Sequence, residues 1–232
     1  MESLVRRLAI ESIWPRFCIR CGREGEVFCR PCQEAYRPRI SFAACPFCGR
    51  GGSDRVCDEC GPKTYLDGVI SLAAYGDPVV REAIGLWKYH GDEQAQATIE
   101  LWVRQLAQSL RLAEAVEAVS FIPLHESKKR SRGFDQAQEL AKMVARLINR
   151  PVQEVLRRDR KTRAQAQLTN EQRLVGDLDG IFRVQGNLPQ SVVLCDDVFT
   201  SGATMDAAAR ELKEHGVKTV FGLTLAKGSL KT

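Results

Sequence analysis

Hydrophobic and polar positions divide the chain of 232 residues into three segments with different rhythms. Residues 1–16 place apolar side chains at helical spacing and predict a short amphipathic helix. Residues 17–62 hold no extended apolar run and are rich in cysteine, whereas residues 63–232 alternate short apolar runs with amphipathic stretches. We therefore expect an N-terminal helix, a small cysteine-rich region and one larger domain.

The larger domain alternates predicted strands with predicted helices. Its apolar runs, such as residues 192–194, lack polar alternation and are typical of central parallel strands that are covered on both faces. This alternation predicts a doubly wound α/β sheet, in which ligands bind at the carboxyl ends of the strands. The predicted strands are 68–75, 118–123, 152–156, 181–184, 191–195 and 218–226, and the predicted helices are 77–89, 93–113, 133–149 and 203–215.

Composition places the chain among ordinary globular proteins, because 44% of its residues are hydrophobic and 27% are charged. The net charge of +5 is too small to identify a nucleic-acid-binding protein, so the clustering of charge matters more than its total. No apolar run approaches the roughly 20 residues of a membrane helix, and charges interrupt the N-terminal segment where a secretory signal would be continuously apolar. We expect a cytoplasmic protein that does not enter a membrane.

Eight of the nine cysteines form four CxxC pairs, and this spacing predicts metal sites in a compartment that keeps thiols reduced. Two such pairs supply four thiolates to one tetrahedral, closed and therefore structural zinc site. Chain order favours one Zn²⁺ on each successive set of four; interleaved pairing, a redox-active dithiol and an iron–sulfur cluster are the alternatives. Cys195 is predicted to be a core residue. The two predicted ligand sets are Cys18, Cys21, Cys29 and Cys32, and Cys45, Cys48, Cys57 and Cys60.

The stretch VVLCDDVFTSGAT, residues 192–204, runs from a buried strand into a helix. Its small and hydroxylic residues allow successive backbone N–H groups to hold a phosphate, and its two carboxylates suit ribose hydroxyls and Mg²⁺. The stretch therefore predicts a ribose 5-phosphate pocket, and an ordinary turn before a helix N-cap is the alternative. The carboxylates belong to Asp196 and Asp197, and the phosphate loop consists of Thr200, Ser201, Gly202, Ala203 and Thr204.

Two other loops concentrate positive charge. Residues 122–133 leave a predicted strand and suit a pyrophosphate, through Lys128, Lys129, Arg130, Arg132 and Gly133. Residues 157–168 lack apolar periodicity and predict a lid over a polyanion, with candidate contacts at Lys161, Arg163 and Gln165. The alternative for both loops is a solvated surface. His125 is the only histidine in the first loop, and we interpret it as incidental.

The chain resembles the ComF family, also called ComF/GntX, in its CxxC pairs and in four further motifs. These are LWKYHGD at 86–92, RGFDQAQELA at 132–141, QAQLTNEQR at 165–173 and the stretch at 192–204, which is similar to the motif that binds phosphoribosyl pyrophosphate (PRPP) in type I phosphoribosyltransferases. Family members commonly carry Asn where this chain has Asp135, and an acid there argues against a direct phosphate contact.

The resemblance implies a type I phosphoribosyltransferase-like parallel sheet flanked by helices, preceded by a double zinc ribbon. It also implies PRPP binding with Mg²⁺ at Asp196 and Asp197, phosphate at residues 200–204, and pyrophosphate near Arg130, Arg132 and Gly133. A role in natural competence follows from the family as well, with incoming single-stranded DNA and a competence helicase as candidate partners.

Catalysis and binding alone are both compatible with these residues. In a transferase, Asp196, Asp197 and Arg132 are the candidate catalytic residues and would act by electrostatics on a departing pyrophosphate. No residue identifies the acceptor or its base. The alternative is a non-catalytic PRPP or nucleotide sensor that binds single-stranded DNA. Phenylalanines of the cysteine-rich region either stack on bases or form the small cores of the ribbons, and these are Phe17, Phe28, Phe42 and Phe47.

Overall fold

The computed structural model describes residues 15–38, 44–51, 55–107, 115–126, 129–130, 133–159, 178 and 180–228. Residues 1–14 of the predicted N-terminal helix lie outside this set. A single 3-10 turn at Gly61–Lys63 follows the cysteine-rich region within the described residues. The elements in chain order are α1 Arg30–Ala35, β1 Gly68–Ala74, α2 Pro78–His90, α3 Glu93–Ala107, β2 Ala118–Phe121, α4 Gln136–Ile148, β3 Leu156–Arg158, β4 Phe182–Val184, β5 Ser191–Phe199, α5 Ala203–Glu214 and β6 Thr219–Lys227.

Four strands form a parallel sheet in the order β1-β6-β5-β2. Strands β3 and β4 form a separate antiparallel pair. Because β2 and β5 are neighbours, with Phe121 opposite Cys195, the loop that leaves the carboxyl end of β2 starts beside Asp196 in the last part of β5. The predicted α/β fold with a parallel sheet flanked by helices is confirmed.

Both faces of the sheet are buried, and alternate residues of β5 show this directly. Val193 and Cys195 belong to a core that also contains residues of α2, α3 and α4. Val192 and Leu194 belong to a second core that contains α5 and the β3–β4 pair. Cys195 is fully buried, which confirms its prediction as a core residue. The lack of polar alternation in these strands thus has a simple cause: each face has its own apolar layer.

Three predicted boundaries were wrong. Strand β5 does not stop at residue 195, because its pairing with β6 continues until Phe199 lies opposite Lys227. The strand predicted at 152–156 is absent from the described residues except for one bridge between Val152 and Val119, and β3 starts only at its last position. Helix α4 begins three residues after Gly133, because Gly133 is left-handed at φ 78° and Asp135 is the N-cap.

The start of α2 matches its prediction and leads directly to the site. Asp77 caps the helix by accepting a hydrogen bond of 2.9 Å from the Val79 N–H, and Pro78 occupies the first turn. Gly91 ends the helix in the left-handed region at φ 61°. The last turn of α2 therefore ends beside the carboxyl edge of the sheet. Among the described residues, no helix is both long enough and apolar enough to cross a bilayer.

Candidate functional site

The two predicted anion-binding loops leave adjacent strands at the same edge of the sheet. In the loop after β2, the Lys129 N–H donates to the His125 carbonyl at 3.1 Å, and the Gly133 N–H donates to the Lys129 carbonyl at 2.9 Å. Arg130 lies 3.8 Å from Glu126 and both side chains are exposed. The other predicted cations and contacts of the two basic loops lie outside the described residues: Lys128, Arg132, Lys161, Arg163 and Gln165.

Both residues of the acidic pair lie within β5 and not in the loop that follows it. Asp196 is opposite Thr224 of β6, and the Asp197 N–H donates to Asp196 Oδ1 at 2.8 Å. Asp197 Oδ2 forms an ion pair with Lys88 Nζ, and only about a fifth of each side chain is exposed. Lys88, the third residue of the LWKYHGD motif, thus has a specific role: it is the counter-ion of Asp197, supplied from α2.

Burial, together with the charge of Asp197, raises the pKa of Asp196 to about 7. The Asp197 N–H and the charge of Lys88 act in the opposite direction. A hard cation or a set of hydroxyl donors at this carboxylate pair would favour its ionised form. The pair is therefore suited to the two ligand classes predicted for it.

Arg158 is a second cation at this site that the sequence did not identify. It lies in β3, where burial lowers its pKa and the charge of Asp196 acts to raise it. Its guanidinium also lies over the Phe182 ring, 5.5 Å from the ring centre. The sequence contained Arg158 only as one of several cations in a polar stretch, and nothing local separated it from its neighbours.

Residues 200–204 comprise the turn after β5 and the first two residues of α5. They line a cavity of about 50 Å³ together with Asp196 and Phe199. Gly202 is the N-cap residue at φ 79°, so no side chain occupies the capping position of α5. The N-terminal N–H groups of a helix attract anions. Asp206 in the first turn would oppose this attraction, but its carboxylate accepts hydrogen bonds from Thr64 Oγ1 and, at 2.7 Å, from the Tyr65 N–H.

Gly202 is also enclosed by two aromatic rings. A Cβ atom at this position would lie 2.6 Å from Phe199 Cζ and 3.0 Å from Phe47 Cε1. The two rings contact each other edge to face, with their centres 5.8 Å apart. The phosphate loop thus contacts a residue that lies between Cys45 and Cys48, 155 positions earlier in the chain.

Asp135 has a structural role in the described residues. It is 3% exposed, and its Oδ1 accepts from the N–H groups of Ala137 and Gln138 at the start of α4. Its Oδ2 accepts from the Leu124 N–H at 3.1 Å and so ties the loop after β2 to α4. An acid at this position is explained by three backbone donors.

The eight paired cysteines form two separate groups in chain order. All four sulfurs of each group lie within 4.8 Å of one another. Cys21 Sγ lies 3.6 Å from Cys29 Sγ, and Cys48 Sγ lies 3.6 Å from Cys57 Sγ. A Zn–S distance near 2.3 Å gives about 3.8 Å between sulfurs of a tetrahedral site, so both groups fit Zn²⁺. We call them the first cysteine group (Cys18, Cys21, Cys29, Cys32) and the second cysteine group (Cys45, Cys48, Cys57, Cys60).

The surroundings of each group lower the pKa of one of its thiols and raise that of another. Burial disfavours the thiolates of Cys18 and Cys45, but donated backbone N–H groups outweigh it and lower each pKa to about 6. Burial and neighbouring thiols raise the pKa of Cys32 and Cys60 to about 12. Part of each group is thus poised to ionise, and a bound divalent cation would stabilise the remaining thiolates.

Two of the four candidate phenylalanines, Phe28 and Phe47, pack against the larger domain and do not form separate small cores in the described part of the cysteine-rich region. Phe28 is 2% exposed and contacts Trp102 of α3, with ring centres 5.8 Å apart. Phe47 packs on Phe199, which belongs to the core on the opposite face of the sheet. Phe17 is 54% exposed, and Phe42 lies outside the described residues. Each group is therefore fastened to a different face of the sheet.

Comparison with known proteins gave matches in sequence and in structure. A family model described as "Phosphoribosyl transferase domain" matches residues 131–229. Competence protein ComFC of Bacillus subtilis is 28% identical over 87% of this chain and 85% of its own length. Competence protein F of Haemophilus influenzae is 26% identical over 90% and 96% of the two chains. Among solved structures, orotate phosphoribosyltransferase from Aeropyrum pernix is 22% identical, covering 59% of this chain and 62% of that one, with a TM-score of 0.38.

Proposed function

Because the chain belongs to the ComF family and carries a phosphoribosyltransferase domain, we propose that its site binds the ribose 5-phosphate part of PRPP or of a nucleotide, with Mg²⁺ at Asp196 and Asp197. The family relatives are named competence proteins, and we extend a role in natural competence to this chain. Within this proposal, residues 17–62 are the metal-stabilised part and residues 63–232 are the phosphoribosyl-binding part.

One arrangement supports the binding proposal above all. Asp196 and the phosphate loop line the same cavity, so carboxylate acceptors and helix N–H donors lie at the two ends of one short segment. A sugar phosphate has this polarity, since its hydroxyls donate hydrogen bonds and its phosphate accepts them. An ordinary turn before a helix does not require a partly buried acid pair or a cation such as Lys88 beside it.

Transfer chemistry would use the same residues. The acceptor would form a bond to the anomeric carbon while the bond from that carbon to pyrophosphate breaks, and the departing pyrophosphate would take both electrons of that bond. Mg²⁺ at the acid pair supplies charge neutralisation when bound. Lys129, Arg130 and the Gly133 turn would receive the pyrophosphate from the neighbouring loop. A chain that binds but does not transfer would be a sensor with the same pocket.

Calorimetric titration with ribose 5-phosphate in the presence of Mg²⁺ tests the binding proposal. We expect Thr204→Val, which removes a hydroxyl from the phosphate loop, to weaken binding by about 10-fold, the loss of one charge-assisted hydrogen bond. Thr219→Val is the matched control, since this partly buried threonine begins β6 at the opposite edge of the sheet. No binding to the unaltered chain at millimolar ribose 5-phosphate would contradict the proposal.

Pyrophosphate release from PRPP, measured over a panel of bases and amines, separates the enzyme from the sensor. An enzyme would release pyrophosphate with one acceptor class, and Asp197→Asn would lower the rate by about 100-fold or more through lost stabilisation of the transition state. PRPP binding without release across the panel would assign the chain to the sensor alternative.

Single-stranded DNA binding is a second candidate function, favoured by the exposed ring of Phe17. Phe17 precedes Cys18 in the chain, and the exposed cations Arg20 and Arg23 follow within six residues. Aromatic rings and cations together suit unpaired bases. Fluorescence anisotropy with labelled oligothymidine at several salt concentrations tests it. Phe17→Ala should weaken binding by roughly 10-fold, and a lack of binding at low salt would exclude this function.

A further inference from the structure

The second cysteine group contacts the phosphate loop through Phe47. This side chain lies between two predicted metal ligands, Cys45 and Cys48, and its ring meets Phe199 edge to face at 5.8 Å. Its Cε1 would lie 3.0 Å from a Cβ at position 202, beside the two ring atoms of Phe199 that approach the same position. The conformation of the phosphate loop therefore depends on where the second cysteine group holds this ring.

The segment after the second cysteine group contacts α5, the helix that begins at the phosphate loop. Cys60 leads into the 3-10 turn, after which Thr64 Oγ1 and the Tyr65 N–H both donate to Asp206 Oδ1. Three residues after Thr64, Asp67 pairs with Lys213 at 2.9 Å in the last turn of α5. Both ends of the helix that carries the phosphate loop are thus attached to the chain that leaves the second cysteine group.

We propose that the second cysteine group is a positioning site for the phosphate loop, so that a metal ion bound there and a phosphoribosyl ligand in the loop strengthen each other's binding. The proposal rests on the proposed function, because it takes the loop as the phosphate site. A metal on the four cysteines holds Phe47 against Phe199 and Gly202, and it holds residues 64–67 against α5. Without the metal, the ring and the segment lose their common anchor.

The first cysteine group provides an internal contrast. Phe28 and Ile19 are neighbours of its cysteines in the chain, and they pack into the core with α2, α3 and α4. This core lies on one face of the sheet, and the core that contains Phe199 and contacts Phe47 lies on the other. Ile19 lies between Cys18 and Cys21 and is partly buried, as Phe47 is between Cys45 and Cys48. Ile19 and Phe47 occupy different positions of their CxxC pairs, but both are partly buried apolar side chains between paired cysteines, and of the two Phe47 is the one that contacts the phosphate loop.

The direct test compares Phe47→Ala with Ile19→Ala in the full, zinc-loaded chain. We expect Phe47→Ala to weaken binding of ribose 5-phosphate by 5-fold or more, within the range of about 5–150-fold usual for coupled sites. Ile19→Ala should lose thermal stability but keep the affinity of the unaltered chain. Phe47→Leu retains an apolar contact with Phe199 and should recover most of the affinity, which a general loss of stability would not produce.

Metal affinity provides a readout that is independent of activity. Because linkage is reciprocal, saturating ribose 5-phosphate should tighten one of the two zinc ions by the same factor by which that zinc tightens ribose 5-phosphate. Competition with a chelator, followed by zinc release in the presence and absence of ribose 5-phosphate, measures this factor. In Phe47→Ala and in Thr64→Val the effect of the ligand on zinc release should fall towards zero.

The outcomes separate the two proposals. Equal affinity of Phe47→Ala and the unaltered chain for ribose 5-phosphate, with zinc release unaffected by the ligand, would overturn the positioning role and leave the phosphate site intact. Equal losses in Phe47→Ala and Ile19→Ala would also overturn it, because both changes would then act through stability alone. Failure of the unaltered chain to bind ribose 5-phosphate would overturn the proposed function and the positioning role together.

Discussion

Gly202→Ala is expected to destabilise the protein more than a second glycine substitution on the same helix. Gly202 precedes α5 with φ +79°, and Gly216 follows it with φ +99°. An L-residue in the left-handed region costs about 1–2 kcal/mol, and this term applies to both positions. A Cβ at position 216 meets no atom within 4 Å, whereas one at 202 meets Phe199 Cζ at 2.6 Å.

The difference between the two variants isolates the collision with the aromatic rings. Phe199 is 2% exposed and packs against Phe47, so moving its ring would displace packed neighbours or fill the cavity beside the phosphate loop. Overpacking of this kind costs about 1–3 kcal/mol. We therefore expect a loss of about 1–2 kcal/mol for Gly216→Ala and about 2–5 kcal/mol for Gly202→Ala, a large fraction of the stability of a typical domain.

Urea unfolding followed by circular dichroism measures both losses from the change in midpoint at constant slope. The same samples should show that ribose 5-phosphate no longer stabilises Gly202→Ala, while it still stabilises Gly216→Ala. Equal losses of stability in the two variants would refute the reasoning, because the rings around position 202 would then not restrict it.

Three further predictions concern the buried carboxylates. The pKa of Asp196 rises from 3.8 to about 7 on folding, so the folded state retains a proton that the unfolded chain loses between about pH 4 and 7; stability of the ligand-free protein should fall across this window by up to about 4 kcal/mol, and Asp196→Asn should remove that slope in urea titrations at successive pH values. Lys88→Met should lower stability by about 1–3 kcal/mol at pH 8 through loss of the Asp197 ion pair, and by less at pH 5, where Asp196 is protonated and Lys88 offsets one negative charge fewer; a pH-independent loss in the same titrations would contradict this. Asp135→Ala should lower the free energy of unfolding by about 2–3 kcal/mol because three backbone donors lose their acceptor, whereas Asp135→Asn, which keeps the cap of α4, should cost about half as much in thermal melts.

Local patterns in the sequence were sufficient for the sheet and for the membership of each cysteine group. The strands that form the parallel sheet are continuous apolar runs, and a run such as residues 192–194 has only one common environment, the middle of a covered sheet. Paired cysteines at CxxC spacing likewise describe a site whose ligands lie close together along the chain. Short-range patterns of these two kinds predict the structure correctly because the environment they require does not depend on which distant segments make contact.

Contacts between distant segments were not predictable in the same way. Lys88 lies on α2 and meets Asp197 only because α2 ends at the carboxyl edge of the sheet. Phe47 was expected to stack on bases or fill a small core, and its partner Phe199 lies on the last strand but one. The extension of β5 past residue 195 has the same origin, since β6 supplies partners that no pattern within β5 reveals.

The order of strands also has a consequence for how the chain is made. The last described strand, β6, lies between β1 and β5. Strand β1 therefore has no partner in the sheet until β6 has been made. During translation, the cysteine-rich segment and β1 therefore leave the ribosome long before their final surroundings exist. Assembly that waits for distant segments is slow and exposes apolar surface. A chain that stops before residue 219 should accordingly be a substrate for chaperones and proteases and should not accumulate as a folded fragment.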